Sequence, residues 1–159
     1  MSEENVEIVR RWVEEELNTA PAELNTAPAK VKAYVARFYD PDADYYPVRK
    51  FPEARPCHGY DEIVQFLVGY LAAYSRFEYA LRHLIQVGDD RVLVCGSLHA
   101  EGRESHVPLG GDVYYCIWLR HGRCFREEHH LTMRGALHAL GLEGETLETA
   151  RLKSDRPEE

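Results

Sequence analysis

Residues 113–142 read VYYCIWLRHGRCFREEHHLTMRGALHALGL, and this stretch constrains the rest of the chain most. Two alternating apolar runs flank His121-Gly122, where glycine supplies the positive φ of a tight hairpin turn. The turn sets Leu119 opposite Cys124, and an unbroken register then sets Ile117 opposite Arg126, Tyr115 opposite Glu128 and Val113 opposite His130. With a side-chain period of two, one face carries Val113, Tyr115, Ile117 and Leu119 interleaved with Cys124, Arg126, Glu128 and His130. The other carries Tyr114, Cys116, Trp118, Phe125, Glu127 and His129. Both faces are partly apolar, so both are expected to be covered. Charged groups threaded through a covered face are costly unless paired or functional, which makes Arg126, Glu128 and His130 the first site candidates.

A chain of 159 residues with net charge −8 fits one soluble domain whose acidic surface does not attract nucleic acid or an anionic membrane. No run of about 18 apolar residues suggests a membrane span, and the acidic start MSEENVEIVRRWVEEEL does not resemble a signal peptide. A cytoplasmic location is expected. Cys57, Cys95, Cys116 and Cys124 show no metal or redox spacing and read as buried thiols. His129 and His130 point to opposite faces, so no metal site is expected.

Earlier in the chain, Val6, Val9, Trp12, Val13 and Leu17 share a helical stripe over residues 5–17. The heptapeptide ELNTAPA then occurs twice in tandem, at 16–22 and 23–29, each copy with an Ala-Pro pair that resists a helix interior. It reads as an inserted loop or broken helix. Thr26 and Pro28 start a second helix carrying Val31, Tyr34, Val35 and Phe38. Residues 39–42 read as a turn and 44–48 as a short strand holding Tyr45 and Tyr46, with a charged, proline-rich loop after it. A third helix opens at Gly59 and presents Ile63, Phe66, Leu67, Tyr70, Leu71 and Tyr74 on a wide apolar face. Two long strands, 77–87 and 91–102, follow around a turn centred on Asp89-Asp90, which puts His83 beside Gly96 on an otherwise apolar face. His83 is either a core histidine bonded to the backbone or an acid/base group lining a pocket. Residues 143–159 form a polar tail.

Three helices with a short early strand, then long antiparallel strands, argue an α+β chain with a strongly curved, mostly antiparallel sheet wrapped around about three helices. The order of Asn5-Val6-Glu7-Ile8-Val9-Arg10, Pro41-Asp42-Ala43-Asp44, Gly59-Tyr60-Asp61-Glu62-Ile63, Gly88-Asp89-Asp90-Arg91-Val92, Gly102-Arg103-Glu104-Ser105, Arg120-His121-Gly122-Arg123 and residues 136–142 resembles the SnoaL-like branch of the nuclear transport factor 2-like superfamily. The resemblance spans about residues 5–142, as a single domain without the duplicated heptapeptide and the tail. It implies a cone-shaped sheet closed by helices around an apolar pocket, often in a homodimer paired through the outer sheet face. Here that face carries Tyr114, Trp118 and Phe125.

Relatives of this kind include polyketide cyclases, ketosteroid isomerases, dehydratases and non-catalytic binders, so the fold does not imply one activity. In the cyclase-like pattern the last strand ends in an acidic residue, whereas the matching position here is Thr132, with His130 two residues earlier where an aromatic is usual. The candidate catalytic residues are therefore His83 or His130 as general base, Glu128 to orient a histidine, and Tyr46 or its neighbour Tyr45 to donate a hydrogen bond. Either Arg126, Glu128 and His130 form an inert polar ladder at the cone mouth, or they carry the chemistry. Trp12, Tyr34, Phe38, Tyr45, His58, Phe66, Tyr70, Tyr115 and Arg126 are expected to contact a small apolar molecule. No cofactor is expected; the reaction class is proton transfer, with a non-catalytic binding module as the alternative.

Overall fold

A computed structural model of the protein describes residues 2–17, 28–48 and 54–142. The elements in order are α1 (Ser2–Arg11), continued by a π-helical stretch (Trp12–Leu17), α2 (Pro28–Phe38), β1 (Tyr39–Tyr46), β2 (Cys57–His58), α3 (Gly59–Ala72), β3 (Tyr74–Val87), β4 (Arg91–Gly102), β5 (Pro108–Arg120), β6 (Arg123–His130) and α4 (Met133–Ala139). The strands form one six-stranded sheet in the order β2-β1-β6-β5-β4-β3, in which only the β1–β6 pairing is parallel. It is strongly curled, an α+β half-barrel wrapped on helices. Residues 18–27 of the duplicated segment, and the tail from residue 143, lie outside the described residues.

Each helix forms where its sequence supplies an apolar stripe. In α1, Glu3 and Glu4 face the positive end of the helix and Arg10 and Arg11 the negative end, while Val9 is buried. In α2 the buried positions are Val31, Tyr34, Val35 and Phe38, and in α3 they are Ile63, Leu67 and Leu71, all at helical spacing. These stripes pack into the concave face of the sheet against Tyr79, Val92, Val94, Val113, Tyr115 and Ile117. Gly96 is required there, because a Cβ at that position would lie 2.4 Å from the Ala80 carbonyl oxygen and 2.7 Å from the Tyr79 ring. The convex face holds a second cluster in which Ala136, Leu137 and Leu140, in and just after α4, cover Ile85, Leu93, Tyr114 and Cys116. Tyr114 of the expected aromatic patch is thus covered by its own chain. Among the described residues no helix is long and apolar enough to cross a membrane.

Two registers differ from the sequence expectation. The turn at His121-Gly122 has positive φ at both residues (53° and 76°), as a type I′ turn needs, and sets Leu119 opposite Cys124 as expected. The next pair is Trp118 with Arg126, so Phe125 is an extra residue, and Ile117 pairs with Glu127 rather than with Arg126. A one-residue bulge turns every later side chain of β6 to the other face. In the β3–β4 hairpin the turn takes in Gly88, Asp89 and Asp90, so Val87 pairs with Arg91, and a further irregularity between Leu81 and His83 puts Leu81 opposite Gly96 and His83 opposite Cys95. Residues 39–42, expected as a turn, open β1 instead. Asp42 N–H donates to Asp40 Oδ1 (2.9 Å) inside the irregular β1–β6 pairing, so the turn chemistry is used within a strand.

Candidate functional site

A cavity lies between the concave sheet face and the helices, lined by Trp12, Tyr34, Tyr39, Tyr45, Leu67, Tyr70, Leu71, Phe77, Tyr115, Glu127 and His129. The free space at its centre is about 40 Å³. Seven of these residues are aromatic and none is Lys or Arg, so the wall is apolar except where β6 turns Glu127 and His129 inward.

Glu127 is 1% exposed and both its oxygens are used. The Tyr39 hydroxyl donates to Oε1 at 2.9 Å, and His129 Nε2 donates to Oε2. A carboxylate without a proton only accepts, so Nε2 carries the imidazole proton and Nδ1 is the ring nitrogen left for a ligand. The His129 ring is wedged between two phenols, with centroids 4.5 Å from Tyr115 and 5.1 Å from Tyr45, both edge to face. Burial, and after it the Glu127 charge, pushes the Tyr39 and Tyr45 phenols well above their ordinary range. Burial also raises Tyr115, followed by the neighbouring phenols of Tyr70 and Tyr79. These hydroxyls therefore stay protonated, and each keeps a proton to donate, as Tyr39 does to Glu127.

Trp12, Tyr34, Tyr45, Tyr70 and Tyr115 line this cavity. Phe38 and Phe66 stand behind it: Phe38 stacks on Trp12 (4.7 Å, 7°), and Phe66 packs against Tyr45 (5.5 Å) and Tyr70 (5.7 Å). Trp12 N–H donates to the Tyr34 hydroxyl, tying the helical wall together.

The remaining candidates lie elsewhere. On the convex face, Arg126 sits over the rings of Tyr46 (4.8 Å) and Trp118 (5.4 Å) and pairs with Glu128 (3.3 Å). His130 Nε2 is 3.8 Å from Glu128 Oε1 on that face, and Thr132 caps α4 by accepting from Gly135 N–H (3.0 Å). His83, opposite Cys95, shares the convex side with Ile85. His58 is on β2, exposed, with Nδ1 2.7 Å from Asp44, whose hydrogen bond raises its pKa. Arg126, Glu128, His130 and Tyr46 thus form a cluster, but outside the cavity.

Sequence reasoning missed Glu127 and His129 because it carried the β6 register through without the bulge. The signal that could have located it is the adjacent apolar pair Cys124-Phe125, which an alternating strand buried on both faces accommodates but a bulge explains equally well. It also missed Tyr39, read as part of a turn, and Leu67, Leu71 and Phe77, read only as framework.

No family model matches the sequence, and no curated protein matches it. Solved structures do. A putative SnoaL-like polyketide cyclase from Jannaschia sp. CCS1 matches with TM-score 0.65 at 16% identity, covering 98% of this chain and 95% of that one. An NTF2-like protein of unknown function from Burkholderia pseudomallei matches with TM-score 0.63 at 16% identity (86% and 97% covered). A hypothetical protein with a ketosteroid isomerase-like fold from Catenulispora acidiphila, in complex with trimethylamine, matches with TM-score 0.61 at 15% identity (86% and 93% covered). At such identities the likeness is one of fold, and the chain has the nuclear transport factor 2-like fold, the fold of the SnoaL-like and ketosteroid isomerase-like structures it matches.

Proposed function

We propose that this protein is a small-molecule pocket protein that transfers a proton next to a carbonyl, with His129 as general base, in a reaction of isomerase, dehydratase or cyclase type. The observation that supports it is the buried Glu127, bonded at once to Tyr39 and His129 inside an otherwise aromatic cavity. Glu127 fixes the tautomer and stabilises the imidazolium as it forms. Nδ1 takes the proton from the carbon beside the carbonyl, and the electron pair moves onto the carbonyl oxygen. In this reading the Tyr45 and Tyr115 hydroxyls hold the resulting oxyanion, and Nδ1–H returns the proton. Glu127 and Tyr39 are positioning residues, since neither of the Glu127 oxygens is left for a substrate proton.

The test needs no knowledge of the natural substrate. Cyclopentanone, cyclohexanone and 3-methyl-2-cyclopentenone are incubated in D2O, and loss of the proton signals beside the carbonyl is followed by NMR. The wild-type protein accelerates exchange of at least one ketone over buffer. His129→Gln loses about 10²–10⁴-fold of that acceleration. Glu127→Gln loses part of it, while Glu128→Gln on the convex face retains it. Equal exchange in wild type and His129→Gln, or none above buffer for any ketone, removes the reading.

A second reading is capture of a compact alkylammonium ion without turnover. Aromatic walls around one carboxylate favour such a cation, and the Catenulispora structure holds trimethylamine. Tetramethylammonium that binds, raises the melting temperature and leaves unchanged, with no ketone exchange, supports it over the first reading.

A further inference from the structure

Of the bonded set Tyr39, Glu127 and His129, Tyr39 sits where the sheet pairing is interrupted. β1 pairs with β6 at Tyr39 with Cys124 and not again until Asp44 with Arg126, so the residues just after Tyr39 leave the ladder. Glu127 and His129 lie in continuous pairing with Ile117 and Tyr115. The strand therefore holds Tyr39 from one side, while its hydroxyl must stay 2.9 Å from Glu127 Oε1.

The first turn of α3 supplies a hold from the other side. Three successive residues meet β1 there. His58, just before the helix, bonds Asp44; Gly59, at φ 79°, comes so close that a Cβ would stand 3.4 Å from the Pro41 carbonyl oxygen; and the Tyr60 hydroxyl donates to the Tyr39 carbonyl at 2.8 Å. Arg123, at the start of β6, donates from Nη1 to the Tyr60 oxygen at 3.2 Å. Chemistry fixes the direction of this chain. A guanidinium only donates and a carbonyl only accepts, so the Tyr60 hydroxyl receives from Arg123 and gives its own proton to Tyr39. The first bond polarises the second. Arg123 is exposed and Tyr60 half-buried, so the chain runs from the surface to the backbone of the residue that bonds Glu127.

We propose that Tyr60 is a positioning residue of the site: by pinning the Tyr39 backbone at the break in the β1–β6 pairing, it keeps Glu127 turned to His129 and so selects the His129 tautomer, with Arg123 orienting the Tyr60 hydroxyl. Tyr60 is not part of the cavity lining, so it acts through Tyr39. Its part in turnover rests on the proton-transfer reading above; its hold on the His129 ring does not.

The test is a double-mutant cycle between Tyr60→Phe and Tyr39→Phe, each of which removes one hydroxyl and keeps the ring. One readout is the ¹⁵N spectrum of the neutral His129 ring, and the other is ketone exchange in D2O. Tyr60→Phe lowers the ratio of Nε2–H to Nδ1–H rings about two- to tenfold, the range of one neutral hydrogen bond, and lowers exchange by a similar factor. In protein that already carries Tyr39→Phe, the same substitution changes neither. Arg123→Met moves the ratio the same way by less. Leu137→Ala, which lowers stability from the convex face, leaves it as in the wild type.

An unchanged ratio in Tyr60→Phe overturns the proposal, and so does an equal shift with and without Tyr39→Phe or a matching shift in Leu137→Ala. Should Tyr60→Phe not fold, Arg123→Met in the same two backgrounds decides by the same criteria. A ratio shifted by Tyr60→Phe in a protein without ketone exchange keeps the positioning role and removes the proton-transfer reading. Exchange in the wild type, with a ratio that Tyr60→Phe leaves unaltered, does the reverse.

Discussion

His130 Nε2 is buried with no hydrogen-bond partner among the described residues. The charged and titratable groups that act on it are Glu128, itself paired to Arg126, the neighbouring His129 on the other face of β6 and, from α4, His138. Burial lowers the His130 pKa below its ordinary 6.5, the Glu128 charge opposes the shift, and the two histidines add to it. The sign of the consequence follows. The unfolded chain takes a proton near the ordinary value while the folded chain resists it, so this contribution to stability is intact above about pH 6.5 and is lost as pH falls through the lower folded value. Urea unfolding at pH 8 and pH 5 measures it: the wild type loses more stability over that interval than His130→Gln. An equal loss in both proteins assigns the acid sensitivity to other groups. Adjacent β6 positions are thus placed differently, His129 lining the cavity and His130 packed under a helix.

At the scale of the element, α4 is held by one cap and one apolar stripe. Removing the Thr132 hydroxyl costs about 1 kcal/mol, and Leu137→Ala, which empties a buried contact over the convex face, costs about 2–5 kcal/mol. Chemical denaturation checks both, and the contrary result is a Leu137→Ala no less stable than Thr132→Ala. The helices were legible in the sequence because stripes such as Ile63, Leu67 and Leu71 repeat at a period only a helix satisfies. The turn at His121-Gly122 was legible because its backbone demands are local. The bulge at Phe125 was not: it depends on how Cys124 and Phe125 are shared between two apolar faces, and both faces offered a place for either residue. That single extra residue is why Arg126, Glu128 and His130 were read toward the pocket while Glu127 and His129 occupy it. Similarly, Asp40-Pro41-Asp42 has turn chemistry, and the pairing of Tyr39 with Cys124 across the sheet overrides it.

For the whole molecule, the alternation of strands and the order of helices identified the curled α+β fold, and solved structures at 15–16% identity share it. Fold is robust to sequence because it needs only the pattern of apolar faces. The site needs the register of one strand to be right to the residue, so the fold could be read from the sequence further than the site. The proposed chemistry depends on Glu127 holding the His129 imidazole in one tautomer inside the cavity. The most direct measurement is the ¹⁵N NMR spectrum of the histidine rings, assigned with His129→Gln. His129 is expected to be protonated at Nε2 and bare at Nδ1 in the neutral ring, with a preference that weakens in Glu127→Gln and Tyr39→Phe. A His129 ring protonated at Nδ1, or one indifferent to Glu127→Gln, contradicts it.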